Sequence, residues 1–140
     1  MIRLFLDSSA LAKRYVQEVG TERVVVLCRE AEEVVVSIIA LPEVVSTLNR
    51  LRREGRLSQR DYHAIKQDVL ADLAEASVIE VTASIVDKAL ACLERSPLRA
   101  SDALHIATAM EVSADLFVTA DRRQRQGATD AGLKVEAVGL

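Results

Sequence analysis

The chain reads as an α/β protein: a three-layer α/β/α sandwich around a mostly parallel sheet of four to five strands. Three observations carry that reading. Short apolar or β-branched runs alternate with longer segments of helical periodicity along the whole sequence. Such alternation implies strands joined by helical crossovers, with both faces of the sheet covered. No repeat, low-complexity stretch or long linker divides the 140 residues, so residues 1–140 form one domain.

Each element has its own signal. Ile2 to Leu6 reads as a buried first strand. Ser8 or Ser9 caps a helix that runs to about Val16. Gly20 and Thr21 open a second helix with Val24, Val25, Leu27 and Cys28 as its apolar positions. Val34 to Ser37 is β-branched and forms the second strand. A helix follows from about Leu41 to Glu54, with Pro42 tolerated in its first turn and Gly55 ending it. Ser58 caps a long helix to about Ala76, striped by Tyr62, Ile65, Val69, Leu70 and Leu73. Val78 to Val81 is the third strand. Ala83 to Arg95 is a helix, broken by Ser96 and Pro97, and Ala100 to about Val112 is the next. Leu116 to Thr119 is the fourth strand, a short helix follows Asp121, and Lys134 to Val138 is the fifth strand.

Composition narrows the function. Half the residues are hydrophobic but only 3% are aromatic, so the core is built from Val, Leu, Ile and Ala. A net charge of −3 gives no bulk attraction for nucleic acid, which would have to bind through a local patch or through bound metal. Cys28 and Cys92 lie in apolar helical patterns without metal-ligand spacing and read as reduced core thiols. The N-terminal apolar run is too short for a signal peptide, and no run approaches the ~20 residues of a membrane span. The expectation is a soluble cytoplasmic protein with no membrane contact.

Four acids stand where one element gives way to the next: Asp7, Glu43, Asp102 and Asp121. Strand ends of an open α/β sheet converge on one edge, and sites form in the crevice there. Carboxylates gathered at such an edge repel one another and lose solvation, so they call for cations. Hard oxygen donors suit Mg²⁺ or Mn²⁺, which points to metal-dependent chemistry on a phosphate ester. Each acid also has a plainer reading. Asp7 and Asp102 would serve as helix caps, Glu43 would favour the positive end of its helix, and Asp121 would sit in a turn. The joint placement favours the site.

Four segments carry a resemblance to the PIN-domain ribonucleases, and within them to the VapC-like toxins of type II toxin–antitoxin systems. They are Leu6-Asp7-Ser8-Ser9-Ala10-Leu11, Pro42-Glu43-Val44, Ala100-Ser101-Asp102-Ala103-Leu104-His105-Ile106-Ala107 and Val118-Thr119-Ala120-Asp121. Their order and spacing cover essentially the whole chain. The resemblance implies a metal-dependent endoribonuclease, with Asp7, Glu43, Asp102 and Asp121 as the acidic metal cluster. Ser8, Ser9 and Thr119 would support the site. Asp7 and Asp102 would be direct ligands, Glu43 a ligand or general base, and Asp121 a ligand of a second metal. The implied partners are an RNA substrate, a cognate antitoxin and a second copy of the chain. The stripes Tyr62 to Leu73 and Val24 to Cys28 are candidate contact faces, although each is first of all core.

Arg122, Arg123 and Arg125, next to Asp121, are possible RNA contacts, whereas Arg50, Arg52, Arg53 and Arg56 read as a solvated helix end. His105 reads as a packing residue and His63 as surface, and Ser8 and Ser9 have no neighbouring histidine to make either a nucleophile. A receiver domain would need an acceptor Asp after the third strand, where Thr82 stands. A dehalogenase-like phosphatase would need an Asp two residues after the first, where Ser9 stands. The remaining alternative is a PIN-like module that binds RNA or protein with little or no nuclease activity.

Overall fold

The computed structural model describes residues 2–140. Five strands form one sheet: β1 (Arg3–Leu6), β2 (Glu33–Ser37), β3 (Ser77–Ile79), β4 (Leu116–Thr119) and β5 (Val135–Ala137), in the order β3-β2-β1-β4-β5. Every neighbouring pair is parallel, with Leu4 opposite both Val34 and Leu116 in the register of the central strand. The helices are α1 (Ser8–Ala12), α2 (Thr21–Glu30), α3 (Ala40–Arg53), α4 (Gln59–Glu75), α5 (Ala83–Arg95), α6 (Ala100–Glu111) and α7 (Arg122–Asp130). The α/β/α sandwich expected from the sequence is the architecture found.

Side-chain alternation along the central strands builds two cores. Leu4, Leu6, Val36, Leu116 and Val118 face one layer, where α1 to α4 supply Leu11, Val24, Leu27, Val44, Leu48 and Val69. Phe5, Val35 and Phe117 face the other, where α5, α6 and α7 supply Ile85, Ala89, Ala103, Ile106 and Ala128. Phe5 stacks on Phe117 at 5.3 Å between ring centroids and meets the edge of His105 at 6.3 Å. Both candidate contact stripes are mainly core: Tyr62 and Val69 are buried, as are Val24 and Leu27, while Leu70 stays 38% exposed. The exposed apolar side chains that share a helix face are instead Val86, Leu90 and Leu93 on α5.

Most boundaries fall within one or two residues of those expected, but α1 is shorter. It ends at Ala12, and the amides of Arg14 and Tyr15 bond three residues back, to Leu11 and Ala12, so the chain tightens into turns instead of continuing to Val16. The true cap of α1 is Asp7, not Ser8 or Ser9. The third strand comes earlier than expected, because Ser77, Val78 and Ile79 pair with Val35, Val36 and Ser37 and leave Val81 in the following loop.

This connectivity positions the site. β1 has β2 on one side and β4 on the other, so the chain leaves its carboxyl end in opposite directions, the place where crevices form in such sheets. Asp7 directly follows β1, and Asp121 lies two residues beyond β4. α3 begins three residues after the end of β2 and so presents its first turn, with Glu43, at the same edge. α6 leads into β4 through a short turn and packs across the sheet against β2, which brings its first turn, with Asp102, to that edge as well.

Candidate active site

All four acids line one cleft of about 780 Å³, together with Ser8, Ser9, Lys13, Arg50, Arg99, His105 and Gln124. Asp7 lies deepest and is 3% exposed. Its Oδ1 accepts from the Ala10 amide at 2.9 Å and from Ser9 Oγ at 2.7 Å, and its Oδ2 accepts from Thr119 Oγ1 at 2.5 Å. Burial pushes the Asp7 carboxyl above its ordinary pKa, and this outweighs the opposing charge of His105 and the three hydrogen bonds. A carboxylate so placed calls for a cation.

Thr119 links two acids. Its hydroxyl donates to Asp7 and accepts the backbone amide of Asp121 at 3.0 Å. Asp121 in turn caps α7, its Oδ1 accepting from the Gln124 amide at 2.9 Å. Ser9 Oγ fastens the same corner by accepting the Ala120 amide at 2.9 Å. These bonds tie Ser9 and Thr119 to Asp7 and to the backbone before Asp121.

Glu43 is held by a pair of donors, Ser8 Oγ at 2.7 Å and His105 Nε2 at 2.6 Å, both on Oε1. Burial raises its pKa, but the hydrogen bonds from His105 and Ser8 and the charge of His105 more than offset this, so Glu43 sits below the usual range and is ionised at neutral pH. Asp102, 8% exposed, accepts from the Arg99 amide at 3.2 Å and lies 3.5 Å from Arg99 Nε. The cap and site readings therefore coexist: three of the four acids also hold a helix start through an oxygen, and Glu43 sits in the first turn of α3.

His105 was missed by sequence reasoning. It is 2% exposed and packs on Phe5, as a core histidine does, yet it also grips Glu43 and lies 3.1 Å from Ser8 Oγ. The expectation that Ser8 has no histidine neighbour is therefore corrected. The helical spacing from Asp102 to His105, one turn on the same face, was the signal that could have found it. The trio is not a nucleophile relay, because serine and glutamate share one ring nitrogen while Nδ1 is buried without a partner. The short contact assigns the proton to Nε2.

The basic residues differ from those expected. Arg122, Arg123 and Arg125 are exposed on α7 and are not part of the cleft lining. Lys13, Arg50 and Arg99 are. Arg52 is structural, stacked on Tyr62 at 4.8 Å and bonded to Gln59 and Asn49. His63 is exposed, as expected.

The donor set is chemically suited to a hard divalent cation: four carboxylates on one cleft, two of them buried, with burial raising the pKa of Asp7. Among the described residues no three acidic, histidine or cysteine side chains close around a common point, since each carboxylate is turned toward a protein donor. The acids would hold a cation by giving up part of these bonds or through intervening water.

Comparison with known proteins agrees with this geometry. Residues 4–129 match the family model described as PIN domain. "Ribonuclease VapC45" of Mycobacterium tuberculosis is 29% identical over 139 residues, covering 98% of this chain and 96% of that one. Among solved structures, the sarcin–ricin loop cleaving toxin VapC20 of Mycobacterium tuberculosis superposes with a TM-score of 0.69 at 21% identity, covering 93% of this chain and 95% of that one. A toxin–antitoxin complex from Klebsiella pneumoniae gives 0.68 at 16% identity, covering 96% of each chain. Among the described residues no helix is long and apolar enough to cross a membrane. With the match running over nearly the whole sequence and the four acids meeting at one sheet edge, the chain belongs to the PIN domain family.

Proposed function

We propose that this protein is an Mg²⁺- or Mn²⁺-dependent endoribonuclease and the toxin component of a type II toxin–antitoxin module. The convergence of Asp7, Glu43, Asp102 and Asp121 on one cleft with cationic residues in its lining carries this reading. An acidic floor favours divalent cations, and a cationic rim favours a polyanion. The names of the similar proteins, a ribonuclease and a ribosomal-loop-cleaving toxin, support the same substrate class.

A divalent cation, when bound, lowers the pKa of a coordinated water and neutralises charge on the phosphate. Asp7, Asp102 and Asp121 would hold it, with Glu43 beside them. Ser9 and Thr119 fix both oxygens of Asp7, so its orientation costs little on binding. Ser8 and His105 occupy one oxygen of Glu43 and leave the other to accept the proton of the attacking water. The leaving 3′ or 5′ oxygen takes its proton from solvent, which reaches the open cleft. The partners in this reading are an RNA strand, a small cognate antitoxin and a second copy of the chain. The complex from Klebsiella pneumoniae is the precedent for the antitoxin.

The test is cleavage of a mixed structured RNA pool with Mg²⁺, Mn²⁺ or EDTA, with Asp102→Asn alongside. Metal-dependent cleavage lost in the variant is expected. Absence of cleavage by folded, inhibitor-free protein under every metal would refute the nuclease and favour a binding module.

A further inference from the structure

Lys13 is the residue of the cleft whose position nothing above explains. Lysine is among the residues least often buried, yet Lys13 is 7% exposed. It caps the carboxyl end of α1, while Asp7 caps the amino end, so the two lie six residues apart, about 9 Å along the helix axis. Both line the same cleft.

Two glycines in left-handed conformation form the slot for its stem. Gly20 has φ +99° and Gly139 has φ +69°. A Cβ on Gly20 would stand 3.1 Å from Lys13 Cδ, and a Cβ on Gly139 would stand 2.9 Å from Lys13 Nζ. What requires glycine at both positions is backbone, since the same Cβ atoms would stand 2.9 Å from Gly139 N in the one case and against the Val19 carbonyl oxygen in the other; the two backbones so drawn together border the lysine side chain. Its ion-pair partner is Glu18, whose Oε1 is 3.2 Å from Nζ and whose side chain is half exposed. Glu18 also lines the cleft. An ammonium has three donors, and one carboxylate at 3.2 Å does not use them all. A pinned cation at the end of an acidic cleft, paired with a displaceable solvent-facing anion, is built for exchange of that anion.

We propose that Lys13 binds a non-bridging oxygen of an RNA backbone phosphate next to the scissile one, and that Glu18 holds its place in the free protein. The inference rests on the ribonuclease reading and adds a residue to it. Lys13 then anchors the strand relative to Asp7, and the phosphate takes over from Glu18 as the counter-ion. Arg50 and Arg99 are exposed and can follow a mobile strand, whereas Lys13 sets its register.

The test uses full-length protein carrying Asp102→Asn to prevent cleavage, and a fluorescein-labelled 12-nucleotide single-stranded RNA pool read by anisotropy across KCl concentrations. Lys13→Met keeps the stem and removes the charge. It is expected to weaken binding about five- to tenfold at low salt and to reduce the slope of log K against log salt by about 0.7, the contribution of one phosphate contact in a single strand. Glu18→Gln is expected to tighten binding at least twofold, because the internal competitor loses its charge. A purely structural ion pair predicts the opposite for Glu18→Gln: both variants would weaken binding alike. That result, or an unchanged salt slope in Lys13→Met, overturns the proposal. Should Lys13→Met fail to melt cooperatively, Glu18→Gln decides alone, and unchanged binding in it overturns the proposal. Cleavage of the same pool by the unmodified protein is measured in parallel. Cleavage with no effect of either variant refutes Lys13 and spares the nuclease, whereas no cleavage and no binding refutes both.

Discussion

Replacing Asp7 by asparagine exchanges one carboxylate oxygen for an amide nitrogen and removes a negative charge from the deepest point of the cleft. Asparagine caps a helix as well as aspartate does, so the bond from the Ala10 amide survives. Ser9 Oγ can still donate to the remaining oxygen. The new amide nitrogen faces Thr119 Oγ1, whose proton must turn elsewhere, and Ser9 Oγ lies 3.3 Å away to accept it. What disappears is the cost of a buried charge. Burial raises the Asp7 pKa, so the stabilising form is the protonated one, complete below the unfolded value of 3.8 and lost as pH rises through the folded value. At neutral pH without metal the wild-type acid is a liability. Removing an incompletely compensated charge, less the charge-assisted part of three hydrogen bonds, stabilises by about 1–2 kcal/mol. With an unfolding entropy of about 0.3 kcal/mol per degree for a chain of this size, Tm should rise by about 3–7 °C. Differential scanning calorimetry in EDTA would show the two proteins melting together below pH 3.8 and separating as pH rises through the raised Asp7 value. Mg²⁺ should narrow the gap by stabilising the wild type alone. Activity should fall by at least about 100-fold in the more stable protein. An Asp7→Asn protein that melts below the wild type throughout this range would refute the account of a strained, desolvated acid.

Asp102→Asn should lose activity to a similar degree while Tm moves by under about 3 °C, because asparagine keeps an acceptor for the Arg99 amide. His105→Phe should lower kcat by about 10- to 100-fold with little change in KM, since Glu43 loses one of its two orienting donors while the cationic residues are untouched; an equal loss in KM would count against that role. Thr119→Val leaves Asp7 Oδ2 and the Asp121 amide without their partner and should cost about 1–3 kcal/mol in urea unfolding, together with most of the activity. Gly127→Ala places a methyl 2.7 Å from Leu98 Cδ2 and 3.0 Å from Ile106 Cδ1, and should destabilise by about 1–3 kcal/mol while leaving the cleft acids in place. Equal stability of that variant would show that α7 can shift outward freely.

The central strands β1, β2 and β4 were legible because their apolar residues fill both faces, whereas β3, with Ser77 at its start and Val78 exposed, was placed too late. Asp7, Glu43, Asp102 and Asp121 were legible for the related reason that each stands just beyond a strand or at a helix start, where connectivity alone brings residues together. What escaped is whatever depends on a side chain crossing between layers. His105 lies among alanines and isoleucine in sequence, and nothing local tells that its ring reaches a glutamate on α3. Lys13 drew no attention in the sequence, because the glycines beside it are 7 and 126 residues away. Arg122 and Arg123 were favoured for nearness to Asp121 in sequence, but the helix that begins there turns them outward, and Arg50 and Arg99 reach the cleft instead.

α3 belongs to one layer of the sandwich and α6 to the other, and the sheet keeps them apart everywhere except beyond its carboxyl edge. The bond from His105 to Glu43 crosses that gap and staples the two layers. The width of the cleft is therefore gauged by how both helices seat on their separate cores, Leu48 in one and Ile106 in the other. A half-ångström resettling at either position would be felt at the reacting water, where misplacement by about 1 Å can cost two orders of magnitude in rate. Under the nuclease reading, catalytic strength would thus be graded by substitutions in the hydrophobic interior, far from any acid, a dial that attenuates the site without dismantling it.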